Sequence, residues 1–275
     1  MNIKLICIDM DGTLLKDKHQ ISEEDKSAIQ EAVSKGVHVA ITTGRVYDCA
    51  KMYSDLIDLN TPIIASNGAF IGGNKGETIY KNPIDINTFR KFINVVEKYD
   101  LKSYLTCNFG VVSSFELPED HVYKVLNNTL PSDKKIKIEV LKNIFEAFDL
   151  YPDEILKGVC LSNGNNENLL KAKRELQNIC PELEIVSSWN DNFEIMKKGS
   201  SKGDAVEKLV QYYNISKDEV MCIGDSENDL SMIEYAGIGV AMDNAMLIVK
   251  ETADYITSDN KHCGVAKAIR KFVLE

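Results

Sequence analysis

The sequence predicts an α/β protein, a doubly wound, Rossmann-like parallel sheet interrupted by an inserted α+β cap. Three observations carry that expectation. Residues 3–8, 37–41 and 62–66 are short apolar runs rich in β-branched side chains, and each ends abruptly in a polar loop. Such runs fit strands buried on both faces of a parallel sheet. From about residue 83 the texture changes: apolar runs shorten, and four of the six prolines (Pro118, Pro131, Pro152, Pro181) fall within 118–181. After residue 189 the first pattern resumes. The expected organisation is therefore a discontinuous core, 1–83 and 190–275, around a cap domain of 84–189.

The elements follow in order. Residues 3–8 are the first strand, closing on Asp9-Met10-Asp11-Gly12-Thr13. Ser22 with Asp25 three positions on opens a helix through Ile29 and Val33, which Gly36 stops. Residues 37–41 are the second strand, followed by Thr42-Thr43-Gly44-Arg45 and then by Val46, Ala50, Tyr53, Leu56 and Ile57 at helical spacing. Residues 62–66 are the third, closing on Asn67-Gly68, and 70–71 with 78–80 form a hairpin around a glycine-rich turn. In the insertion, 87–99 is a helix, 102–107 and 111–115 are strands, and 117–128 is a helix. Residues 155–162 and 183–189 are strands flanking a helix near 167–177, making a small antiparallel sheet with helices on one face. Residues 201–213 are then helical and 219–223 a strand that enters Gly224-Asp225-Ser226-Glu227-Asn228-Asp229; strands at 238–242 and 255–256 and a helix at 264–273 close the chain.

Composition narrows the function. The 275 residues carry 42 acidic against 32 basic groups, net charge −10, which disfavours general nucleic-acid or anionic-membrane binding but leaves room for a small phosphorylated ligand. The seven cysteines contain no C-x-x-C pair and are expected to be reduced thiols, several of them core filling. The first apolar run ends at Asp9, too early for a secretory leader or a membrane span. A cytoplasmic protein, monomeric or weakly homo-oligomeric, is expected. Four scattered histidines (His19, His38, His121, His262) offer no zinc site. Nucleophile-elbow, P-loop and dinucleotide fingerprints are all missing from the sequence.

What remains is a set of polar residues at strand ends, the edge of an open α/β sheet where ligands bind. Asp9 and Asp11 repel each other unless a cation or a shared proton compensates, and a divalent metal is the preferred compensation. Chance supplies the Asp-x-Asp-Gly-Thr pattern about 0.002 times in a chain of this size. The alternative is an acidic surface turn. Asp9 suits a nucleophile toward phosphorus, Asp11 a general acid and then base. Gly12 permits the tight turn and Thr13 fixes the loop by hydrogen bonding. Thr43 with the following amides resembles a phosphate cradle, though on this segment alone an ordinary helix cap is the better reading. Lys202 opens a helix, where its charge opposes the dipole unless an anion lies beside it; a solvated lysine is the alternative. Asp225, nearest the strand end, suits a Mg²⁺ ligand, with Asp229 behind it orienting a water or Lys202.

Asp9-Met10-Asp11-Gly12-Thr13-Leu14, Thr43-Gly44-Arg45, Ser201-Lys202-Gly203 and Gly224-Asp225-Ser226-Glu227-Asn228-Asp229, in that order, resemble the four motifs of the haloacid dehalogenase superfamily. Ser66-Asn67-Gly68-Ala69 and the position of the insertion resemble its Cof-type branch, phosphatases with a C2B cap. The resemblance implies an aspartyl-phosphate on Asp9, acid/base catalysis by Asp11, and Mg²⁺ on the carboxylates of Asp9 and Asp225 and the Asp11 carbonyl. It also implies that Thr43, the Gly44 amide and Lys202 hold the phosphoryl group, and that Asn228 touches it or the substrate. A basic approach, Met196-Lys197-Lys198-Gly199-Ser200, departs from the pattern; it extends the anion site or is solvated. Tyr104, Asn108, Tyr123 and Trp189 are cap candidates for reading the leaving group, with core packing as the alternative. The expected function is a Mg²⁺-dependent phosphatase of a small phosphorylated metabolite such as a sugar phosphate. A phosphomutase of the phosphomannomutase-like kind and a catalytically silent metabolite-binding protein are the rivals.

Overall fold

The computed structural model describes residues 2–17, 20–56, 59–187 and 190–275. In chain order the strands are β1 (Leu5–Asp9), β2 (His38–Thr42), β3 (Ile63–Ala65), β4 (Phe70–Gly72), β5 (Thr78–Lys81), β6 (Lys102–Thr106), β7 (Gly110–Ser113), β8 (Lys137–Val140), β9 (Lys157–Leu161), β10 (Leu183–Val186), β11 (Asn192–Lys197), β12 (Val220–Gly224), β13 (Ile238–Ala241) and β14 (Tyr255–Ile256). The helices are α1 (Glu23–Ser34), α2 (Tyr47–Leu56), α3 (Ile86–Lys98), α4 (Val122–Asn127), α5 (Glu146–Leu150), α6 (Asn166–Ile179), α7 (Lys202–Tyr213), α8 (Leu230–Tyr235), α9 (Leu247–Thr252) and α10 (Gly264–Ile269).

The chain divides into two compact units. The first comprises residues up to Arg45, Ala50–Tyr80 and Ser200–Glu275. Its eight-stranded sheet has the order β14-β13-β12-β1-β2-β3-β4-β5, parallel from β14 to β3, with β4 antiparallel to β3. Side chains alternate across a strand, so β1 feeds two cores. Ile6 and Ile8 pack with Ala28, Ile29 and Ala32 of α1 and Val265 and Ile269 of α10. Leu5 and Cys7 pack on the other face with Ala205, Val206 and Leu209 of α7 and Met232 of α8. Helices on both faces make the sheet doubly wound. By the same alternation Asp9 falls on the α7 side. Ser22 caps α1, accepting from the Asp25 amide, and Gly36 follows its end at φ +85°. Regular α-helix, expected over 264–273, ends at Ile269, and the chain continues as a wider π turn over Arg270–Leu274.

The second unit comprises Val46–Cys49 and Lys81–Gly199. Its six-stranded sheet has the order β10-β11-β9-β6-β7-β8, antiparallel except for the parallel β7–β8 pair. Phe89, Phe92 and Val96 of α3 and Leu169, Ala172 and Leu176 of α6 bury against Leu105, Cys160, Phe193 and Ile195. Residues 190–199, expected in the core, lie in this unit because β11 pairs with both β9 and β10. The expected helix 117–128 is shorter: Pro118 and the acidic pair after it stay irregular, and α4 starts only after His121, whose ring accepts from the Tyr123 amide. Trp189, with His19 and Ile57, lies outside the described residues. All seven cysteines are free and six are buried. Among the described residues no helix is long and apolar enough to cross a membrane.

Candidate active site

Parallel pairing brings three strand ends to one level. Asp9 is opposite Thr42, and Ile8 is opposite Ile223, so the residues after β1, β2 and β12 emerge together. Asp9 is 4% exposed and Lys202 and Asp229 are fully buried. Lys202, first residue of α7, donates from Nζ to Asp9 Oδ1 and to Asp229 Oδ1, both at 2.6 Å. The anion that its helix position demanded is thus a pair of carboxylates. Ser201 caps the helix reciprocally with Asp204, which fixes the lysine's point of departure. The other oxygen of Asp229 accepts the amides of Asp225 and Ser226 at 2.9 and 3.0 Å. Asp229 therefore ties the β12 loop to the lysine.

Asp225 accepts from Thr13 Oγ1 at 3.2 Å, so the threonine of the first loop holds the acid of the last. Gly12 lies between them at φ +84°, where an added Cβ would sit 2.4 Å from Asp225 Oδ2. Its carbonyl accepts from Asn244 Nδ2 at 2.8 Å. Only glycine supplies that approach and that dihedral.

Three acids against one lysine leave an excess of negative charge in a buried place. Burial first, then Asp229, push the Asp9 carboxyl well above the usual carboxylate range, with Lys202 opposing. Burial and Asp229 likewise push Asp225 up to about 7. Burial opposes the charge on Lys202, yet Asp229 and Asp9 together raise its pKa. Asp9, Asp225 and Asp229 each offer a carboxylate oxygen, all within 4.8 Å of one another. Hard oxygen donors with two uncompensated negative charges fit Mg²⁺.

Asp11 lies apart from this cluster. Arg45 grips it with a fork, Nε to Oδ2 at 2.8 Å and Nη2 to Oδ1, and the guanidinium also lies over the Tyr53 ring. Thr43 is buried; its amide donates to the Ile64 carbonyl, its carbonyl accepts from Asn67, and its hydroxyl accepts from the Arg45 amide at 3.1 Å. The hydroxyl thus shapes the Thr43-Gly44-Arg45 bend and caps no helix, since α2 starts at Tyr47. Asn228 donates to Asn67 Oδ1 at 3.0 Å. Ser66, Asn67 and Gly68 all have positive φ, and a Cβ on Gly68 would meet the Ser201 carbonyl at 2.2 Å. That turn packs directly on the start of α7. Arg45 and Asn67 stood in quoted motifs without a role, and no signal in the sequence pairs either with its partner. Lys198, in the basic approach, is paired with Glu184 at 2.7 Å.

A family model for haloacid dehalogenase-like hydrolases matches residues 6–269. The chain is 37% identical over 274 residues to the 5-amino-6-(5-phospho-D-ribitylamino)uracil phosphatase YcsE of Bacillus subtilis, covering 100% of this chain and 97% of that one. It is 32% identical over 280 residues to YwtE, a phosphatase of the same name from that organism, with 96% of each chain covered. Among solved structures, a haloacid dehalogenase-like hydrolase from B. subtilis superposes with TM-score 0.87 at 27% identity, covering 98% of this chain and 100% of that one. With the strand-end carboxylates, the buried lysine and these relatives in hand, the chain belongs to the haloacid dehalogenase-like hydrolases and is a phosphoric monoester hydrolase.

Proposed function

We propose that the protein is a Mg²⁺-dependent phosphatase of a small phosphorylated metabolite, working through an aspartyl-phosphate on Asp9. The observation that carries this is Lys202, fully buried between Asp9 and Asp229 beside Asp225. The domain reading that goes with it is a hydrolase core with an inserted cap. Mg²⁺, held by the carboxylates of Asp9 and Asp225 and the Asp11 carbonyl, would neutralise charge on the phosphoryl oxygens.

An Asp9 oxygen attacks phosphorus, and the bond from phosphorus to the leaving oxygen breaks. Asp11 gives that oxygen its proton. Asp11 then takes a proton from water as the water oxygen attacks the phosphorylated Asp9, releasing phosphate and restoring the carboxylate. The Arg45 fork orients the Asp11 carboxylate, and it must release one of the two oxygens for Asp11 to reach the leaving group. Lys202 balances charge on the phosphoryl group as it transfers. Thr43 and the Gly44 amide receive its remaining oxygens, and Asn228, set by Asn67, orients beside them.

The name of YcsE supports a leaving group of the sugar or ribityl kind. The test is hydrolysis of p-nitrophenyl phosphate with phosphate release followed directly. Asp9→Asn is expected to lower turnover by at least 10³-fold with the fold retained by circular dichroism, and chelation of Mg²⁺ to abolish it. Undiminished turnover in either arm refutes the mechanism, and a sugar phosphate returned isomerised without free phosphate would indicate a mutase.

A further inference from the structure

In the first unit's sheet β12 separates β13 from β1, yet one side chain from the β13–α9 connection spans that interval. Asn244 Nδ2 donates to the Gly12 carbonyl at 2.8 Å. An asparagine just ahead of a helix ordinarily caps it. Here α9 starts behind Met246 with no side-chain cap, and the Asn244 amide is turned on Gly12 instead. Its oxygen accepts from the Asn260 amide at 3.1 Å. Asn244 is exposed, so burial does not force these partners on it.

Asn260 is itself fixed. Asp259 accepts from the amides of Lys261 and His262, both at 2.9 Å, which sets the single turn Asn260–His262. From that turn Asn260 Nδ2 donates to the Leu15 carbonyl at 2.7 Å. The two asparagines therefore grip the chain that follows β1 at two carbonyls three residues apart.

The same connection holds the loop after β12. The amides of Met242 and Met246 donate to the carbonyls of Gly224 and Asp225 at 3.1 and 2.9 Å. From the other side Thr13 Oγ1 reaches the Asp225 carboxylate at 3.2 Å. These bonds close a ring that runs from the Asp225 backbone through Met246, Asn244, Gly12 and Thr13 back to the Asp225 side chain, all within the first unit. Gly12, at φ +84°, is its most pliant member. A fixed carbonyl there decides how the peptides on either side of Gly12 face Asp225.

We propose that Asn244 is a positioning residue, which by holding the Gly12 carbonyl sets the Asp11–Gly12–Thr13 turn against Asp225. It thereby fixes two groups assigned to Mg²⁺, the Asp11 carbonyl and the Asp225 carboxylate, relative to each other. The inference rests on the phosphatase reading and adds to it a residue outside the four motifs.

The test compares wild type with Asn244→Ala, with Asn244→Leu, which nearly keeps the side-chain volume, and with Lys250→Gln, which releases Asp243 of the same connection from its 3.3 Å ion pair. Without metal, hydrogen–deuterium exchange over residues 10–16 should quicken about fivefold in both Asn244 variants, the effect of one lost hydrogen bond. Exchange in α1 should not change, and Lys250→Gln should match wild type throughout. Binding of Mn²⁺ to the substrate-free protein, read from the paramagnetic resonance of the free ion, should weaken about 10–100-fold in the Asn244 variants. Their KM for p-nitrophenyl phosphate at saturating Mg²⁺ should stay at the wild-type value. Equal Mn²⁺ affinity in wild type and both Asn244 variants overturns the proposal. So does a loss shared by Lys250→Gln, or one that comes with faster exchange in α1, because either marks general loosening. Should wild type bind no Mn²⁺, the Mg²⁺-dependent phosphatase reading fails separately. Exchange over residues 10–16 then decides: faster exchange in the Asn244 variants supports the brace, and unchanged exchange sinks it.

Discussion

Replacing Lys202 by Met removes one charge and two hydrogen bonds while nearly keeping the side-chain volume. Nζ lies 2.6 Å from both Asp9 and Asp229, and the lysine is fully buried. Without it, three acids with oxygens inside 4.8 Å face one another. At an effective dielectric of 20, each such pair repels by roughly 3–4 kcal/mol. Breaking a buried pair by removing one partner costs about 3–5 kcal/mol, and that is the expected loss at pH 7.5 without Mg²⁺, measured by urea unfolding. The folded pKa of Asp225, about 7, lies above its unfolded value. Such a group favours the folded state at low pH, and that contribution is lost as pH rises through about 7. The cost of Lys202→Met should therefore shrink at pH 5, where the carboxylates take up protons. Added Mg²⁺ should recover part of it at pH 7.5. A loss below about 1 kcal/mol, or one equal at both pH values, would refute the charge argument. Turnover should fall by about 10²–10³-fold.

Gly12→Ala places a Cβ on the Asp225 carboxylate at an unfavourable φ, and should raise the Mg²⁺ concentration for half-maximal activity at least tenfold. Gly36→Ala, also at positive φ but facing open space, should cost only about 1 kcal/mol of stability and leave the Mg²⁺ response alone. His121, held near 4 by burial, binds its proton more readily unfolded, so stability should drop as pH falls from about 6.5 toward 4. The difference from His121→Phe across that window should be on the order of 2 kcal/mol; parallel Tm profiles would contradict it. Lys157→Met should cost about 3–5 kcal/mol because it removes the cation 2.8 Å from the buried Glu194, whereas adding Glu194→Leu should restore most of the loss; a double variant as unstable as the single would count against this.

The strand-end acids were legible in sequence because a parallel sheet gathers all its carboxyl ends at one edge. Asp9, Thr43, Asp225 and Asp229 each follow a recognisable buried strand, so their convergence followed from periodicity. The Arg45–Asp11 fork was not legible, since it depends on how a bend 34 residues downstream aims one long side chain. The Asn67–Asn228 bond, 161 residues apart, is of the same kind. Strand β11 shows a different limit. Paired on both sides, it is buried like a core strand, and nothing in its composition says which sheet holds it.

The register of β1 against β12, Leu5 opposite Val220, bears on the protein's birth. During synthesis β1 waits more than two hundred residues for one of its two neighbours. Lys81–Gly199 is continuous in the chain and meets its own sheet partners first. Strand β1 therefore keeps an open edge on the ribosome, a hazard for unwanted strand pairing, until β12, in the last fifth of the sequence, arrives. A stalled chain that ends before β12 should bind chaperones through β1, and extension past Gly224 should release it.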